Sequence, residues 1–130
     1  MGLTALDTCV LARYIVQDDP KQSPLAEKRV ADGGYVPITV LLELAWLLRS
    51  QYRYSRELIA DTLDALIELP ALVIPDVDGV AWAAARIRAG ADPGDVLHLI
   101  MSRGQDSFST FDDMARQIGA DSPIPVLLIR

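Results

Sequence analysis

The chain has 130 residues, 51% of them hydrophobic and 23% charged, with a formal net charge of −6. Such a composition excludes a disordered chain, suits one domain over residues 1–130, and argues against broad nonspecific attraction to nucleic acid. No apolar run nears the roughly 18–20 residues that cross a bilayer, and the lone Cys9 excludes an intramolecular disulfide or a cysteine-rich metal site.

The opening MGLTALDTCV lacks the basic flank and long apolar stretch of a signal peptide, so the cytoplasm is the expected location. LTAL (3–6) reads as a short strand ending at Asp7, and TCVLARYIV (8–16) continues at helical spacing. After the turn-rich DDPKQSP (18–24), SPLAEKRVADGG (23–34) predicts a helix stopped by its glycines. YVPITV (35–40) is a second strand candidate with Pro37 at an irregular or edge position. A helix to about Gln51 follows, and within it VLLELAWLL (40–48) sets Glu43 among eight apolar side chains. An ionised carboxylate there needs either an open face or a positive partner.

SRELIADTLDALIEL (55–69) predicts an amphipathic helix with a stripe of Leu58, Ile59, Leu63, Leu66 and Ile67. ALVIPD (71–76) is a third strand, VDGVAWAAARIRAG (77–90) a helix, and DPGDVLHLIMSRG (92–104) a helix with strong signals at both ends. DSFSTF (106–111) is a fourth strand, DDMARQIG (112–119) a short helix, and PVLLIR (125–130) a fifth strand. Strands alternating with helices imply an α/β fold with a mostly parallel five-stranded sheet flanked by helices on both faces. The functional crevice of such a sheet lies beyond the carboxyl ends of its strands.

That rule singles out Asp7 after the first strand, Glu43 in the helix after the second, and Asp112 after the fourth. Asp95 lies in the first turn of the helix before the fourth strand. Convergent carboxylates suit hard divalent cations such as Mg2+ or Mn2+, which activate water and stabilise charge on a phosphodiester. Each acid also has a local explanation. Asp7 with Thr8 makes a helix N-cap pair, Asp92 caps the helix containing Asp95, and Asp112 with Asp113 suits the start of a short helix.

The stretches LDTCVLARYIVQDDP, VPITVLLELAWLLRS, GADPGDVLHLIMSR and STFDD resemble, in order, the successive blocks of PIN-domain proteins, most of all VapC-type toxin ribonucleases. The resemblance implies a three-layer α/β fold and Mg2+- or Mn2+-dependent endonucleolytic cleavage of single-stranded RNA regions by activated water. It further implies a homodimer, and a hetero-oligomer with a small VapB-like antitoxin that inhibits the toxin. The family's four acids map to Asp7, Glu43, Asp95 and Asp112. The first three would hold the main ion, with Asp112 completing the site or helping a second ion. Three departures stand out: Cys9 for the usual Asn, Met114 where a further acid is common, and Pro93-Gly94 for Phe-Ala.

Of the remaining residues, Thr8 and Thr110 sit beside the acids, and His98 lies one turn after Asp95 as a helix residue rather than a ligand. Trp46 and Trp82 read as core or dimer-interface residues rather than base-stacking platforms. RSQYRYSR (49–56) is a basic and aromatic patch open to RNA, antitoxin or a second protomer. The alternative function is a PIN-like RNA-binding or regulatory protein that represses translation without cleavage. A phosphoryl-accepting α/β domain is disfavoured because Lys21 and Lys28 both fall early, in a helical region.

Overall fold

The structure is a computed structural model and describes residues 3–114, 118–119 and 121–130. The chain order is α1 (Thr8–Val16), α2 (Gln22–Ala31), β1 (Gly34–Tyr35), α3 (Ile38–Ser50), α4 (Arg56–Ile67), β2 (Leu72–Val73), α5 (Val77–Arg88), α6 (Pro93–Met101), β3 (Phe108–Thr110) and β4 (Val126–Leu128). None of these helices is long and apolar enough to cross a membrane.

The helices start where their caps dictate. Ser55 Oγ accepts from Leu58 N at 3.1 Å, Asp92 Oδ2 from Asp95 N at 3.3 Å, and Asp76 Oδ1 from Gly79 N at 3.0 Å. These bonds satisfy donors that the first helical turn leaves without partners. Helix α3 begins differently. Its first residues, Ile38, Thr39 and Val40, are β-branched, and each disfavours a helix by up to about 0.7 kcal/mol. Burial of Ile38, Leu41, Leu44 and Leu48 returns about 1.5–3 kcal/mol apiece, so packing overrides propensity.

The expected continuous five-stranded sheet is not what the described residues form. They hold two parallel pairs, β1 with β2 and β3 with β4. The segment 3–6 contributes a single bridge, Ala5 to Tyr35, fixed by Leu6 N to Tyr35 O and Tyr35 N to Thr4 O, both 2.8 Å. The strands are shorter than expected for a local reason. Pro37 takes the N-cap position at φ −61° and ψ 150°, so the chain turns into α3 two residues after β1. Pro75 likewise follows β2 closely. With so little sheet, the helices pack largely on one another: α4 on α5, α1 on α2, and α3 on α1, α4 and α6. Of the helix expected over 112–119, Asp112–Met114 are not helical, Ile118 is, and residues 115–117 lie outside the described residues.

Leu11, Leu41, Leu44, Leu48, Ile59 and Leu63 are among the residues at the centre of the main core. A smaller cluster of Leu99, Met114 and Ile124 supports β3 and β4, and Trp82 packs against both clusters. The core assignment of Trp82 therefore holds. Leu58, expected in the buried stripe of α4, is instead half exposed. Met114 is buried, so packing accounts for an apolar residue where the resembling family often carries a further acid.

Candidate functional site

Because the first bridge and β1 run parallel in register, Asp7 and the start of α3 leave the strands at the same edge. Asp7 is the N-cap of α1: its Oδ1 accepts from Thr8 N at 2.8 Å, and Cys9 Sγ lies 3.8 Å from its Oδ2. The thiol contact is long, as expected of a weak donor. Asp7 is exposed and retains unused lone pairs.

Glu43 is exposed as well. The buried residues of α3 are Ile38, Leu41, Leu44, Ala45 and Leu48, which places Glu43 on the other side of the helix, with Trp46 one turn on. The open face, not a buried cation, accounts for a carboxylate in VLLELAWLL. Trp46 is 64% exposed, which removes the core from the two places expected for it and leaves the dimer interface. The sequence signal was available, since Trp46 stands three residues from Glu43 and shares its face.

Asp95 sits half-buried in the first turn of α6, and Asp112 follows β3, its N–H donating to Thr110 Oγ1 at 3.0 Å. Burial raises the Asp95 pKa above the ordinary carboxylate value, the negative charges of Asp92 and Asp112 raise it further, and His98 opposes them. The fold thus brings Asp95 and Asp112 into one electrostatic neighbourhood. Among the described residues no group of three or more His, Cys, Asp or Glu side chains is spaced to hold a metal ion, so Asp7 and Glu43 do not close on that pair.

The donor chemistry nevertheless fits a hard divalent cation. Ion pairs engage Asp18 with Arg13, Asp61 and Asp64 with Arg88, Asp76 with Arg103, and Asp92 with Arg49. None of the ion pairs among the described residues uses Asp7, Glu43, Asp95 or Asp112. A cation would also relieve the like-charge repulsion that Asp95 feels.

A pH experiment reads that repulsion. A carboxyl whose folded pKa is raised destabilises the folded state when ionised, and the penalty disappears as pH falls through the folded value. Asp95→Asn should therefore raise the melting temperature in EDTA at neutral pH. The gain should shrink on acidification and vanish below about pH 4, where the unfolded carboxyl is also protonated. A gain independent of pH would remove ionisation of Asp95 as its cause.

The fold absorbs Tyr52 and Arg56 of the RSQYRYSR patch and leaves Arg49 and Arg53 exposed. Tyr52 donates to Asp18 Oδ2 and accepts from Arg13 Nη1, both at 3.1 Å, and Arg56 Nη1 donates to the Ala91 carbonyl at 2.6 Å. Arg13 is accordingly tied to Asp18, Gln22 and Tyr52, and is not simply solvated.

No curated protein matches the chain. The family model of the PIN domain matches residues 4–120, a span that contains all four candidate acids. PIN domains have an α/β fold and are in general metal-dependent nucleases. The chain belongs to the PIN domain family.

Proposed function

We propose that this protein is a VapC-type endoribonuclease toxin that cleaves single-stranded regions of RNA, acting as one domain over residues 1–130. The observation that carries this reading is the match of the PIN domain over residues 4–120, together with four acids that no ion pair among the described residues uses. Asp7, Glu43 and Asp95 would hold Mg2+ or Mn2+, and Asp112 would complete the site. The bound ion supplies positive charge to the phosphodiester and acidity to a water. The chain's own part is orientation: the cap fixes Asp7, the first turn of α6 fixes Asp95, and the half-burial of Asp95 limits its competition from water.

The same reading includes a cytoplasmic homodimer and a VapB-like antitoxin. Support for a peptide partner comes from a groove of about 320 Å³ between α1 and α2, lined by Val10, Leu25, Ala26 and Arg29 among others. Leu25 is 67% exposed, and the buried Arg29 Nε has no hydrogen-bond acceptor among the described residues. A segment bringing an apolar side chain and an oxygen acceptor would satisfy both.

The test is cleavage of end-labelled total RNA by antitoxin-free protein in Mg2+, Mn2+ or EDTA. Discrete products with either metal and none in EDTA are expected. Absence of cleavage from demonstrably folded protein would leave the non-cleaving RNA-binding regulator.

A further inference from the structure

Helix α3 presents Leu42, Trp46 and Arg49 toward the start of α6, where they form one wall of a groove of about 600 Å³ whose other wall is Asp92, Pro93 and Gly94. The two walls stand close at Gly94, where a Cβ would lie 3.7 Å from Leu42 Cδ1, an ordinary packing distance. Arg49 Nη1 is 4.0 Å from Asp92 Oδ1, and both side chains are about half exposed. Such a loose, solvated pair contributes little and leaves the guanidinium free to turn to another anion. The groove lies beside the acids on α3, because Trp46 in its wall and Glu43, three residues earlier, share one exposed helix face.

We propose that this groove is a nucleobase subsite, in which one unpaired base of a single-stranded RNA stacks on Trp46 while Arg49 contacts the neighbouring phosphate. The choice of RNA rests on the nuclease reading above. Three observations favour this occupant. The indole of Trp46 is open beside a concave apolar floor, and every base offers a π-face to such a ring. Arg49 supplies a planar cation matched to phosphate geometry. In a chain of net charge −6, a cation at this place offsets the repulsion between the exposed acids and an incoming polyanion. Trp and Arg also mark protein interfaces, so a second copy of the chain on this face is the competing outcome.

The experiment uses Asp7→Asn protein in Mg2+, titrated with a short oligoadenylate and with an abasic oligomer of equal length, while intrinsic tryptophan fluorescence is read. Trp82 is packed against both apolar clusters and provides a constant background. Oligoadenylate should quench the signal and the abasic oligomer should not. Adding Trp46→Leu should abolish the quench and weaken binding on the order of tenfold or more. Unchanged affinity in that variant overturns the subsite. So does loss of a dimer in sedimentation while oligoadenylate binding is retained, which would assign the face to a second protomer. Failure of the nuclease reading looks different. Wild-type protein that cleaves nothing but shows the Trp46-dependent quench keeps the subsite and loses the enzyme. Wild-type and Trp46→Leu proteins that cleave the same RNA positions with equal KM keep the enzyme and lose the subsite.

Discussion

Asp7→Asn should reduce RNA cleavage by at least about a hundredfold, the scale expected when a group that stabilises charge in the transition state is removed, while leaving the melting temperature nearly unchanged. The second half of that expectation makes the variant informative. Asp7 has two separable duties, because its Oδ1 accepts the Thr8 N–H at 2.8 Å and caps α1, whereas its negative charge has no ion-pair partner among the described residues. Asparagine is as good an N-cap as aspartate, and alanine is worse by about 1 kcal/mol. Asp7→Asn therefore removes charge and keeps the cap, while Asp7→Ala removes both. If the carboxylate is only a cap, Asp7→Asn will cleave like wild type, and Asp7→Ala will lose stability but no more activity than its unfolded fraction explains. Asp61→Asn is the matched control, since its carboxylate is already engaged by Arg88 at 2.6 Å and its loss should not touch cleavage. Turnover under single-substrate conditions, with thermal melts of all four proteins, settles the assignment.

The parts of this molecule that could be read from its sequence are those fixed by neighbours in the chain. Helix α1 falls on residues 8–16 as the spacing indicates, and α6 starts at Pro93 behind its Asp92 cap, because capping and apolar period are local. Strand content is lower than the composition indicates for the opposite reason. YVPITV and ALVIPD have strand composition, but pairing is a contact with a distant segment, and ahead of Pro37 and Pro75 only Tyr35 of the first run and Leu72 and Val73 of the second join the ladder. The chemistry of the site was legible as residue types: the ordered blocks pointed to four acids, all within the span that the family model matches. Their mutual distances were not legible, and among the described residues it is Asp112 whose charge reaches Asp95. Trp46 shows the limit of hydrophobic patterning. A run of eight apolar residues around one glutamate resembles a helix buried all round, yet the helix has an open face shared by Glu43 and Trp46.

The glycines of ADGGY illustrate a constraint the sequence hid, and Gly34→Ala should be strongly destabilising, by about 3 kcal/mol in chemical denaturation. Gly33 does act as a helix stop, with φ +88° after α2, and that much follows from glycine's tolerance of the left-handed region. Gly34 is needed for a different reason. A Cβ there would stand 2.8 Å from both Leu6 Cγ and Thr4 O, and 2.9 Å from Leu6 Cδ2. Neither neighbour can easily give way. Leu6 is 3% exposed, and Thr4 O accepts the Tyr35 N–H at 2.8 Å, so relief requires opening the bridge between the first segment and β1. That bridge also carries Leu6 N to Tyr35 O, the last backbone bond before Asp7, and the folded fraction of Gly34→Ala should accordingly cleave RNA more slowly than its stability alone explains. A double-mutant cycle separates contact from general fragility. Leu6→Ala alone should cost about 2–5 kcal/mol through the cavity it leaves, but in the Gly34→Ala background it also removes the atoms that clash. The pair should be less destabilised than the sum of its parts, with the residue of the penalty left at Thr4 O. Additive losses would mean that the Leu6 side chain is not what excludes a side chain at position 34, and that the constraint lies wholly in the backbone approach that fixes where Asp7 leaves the sheet.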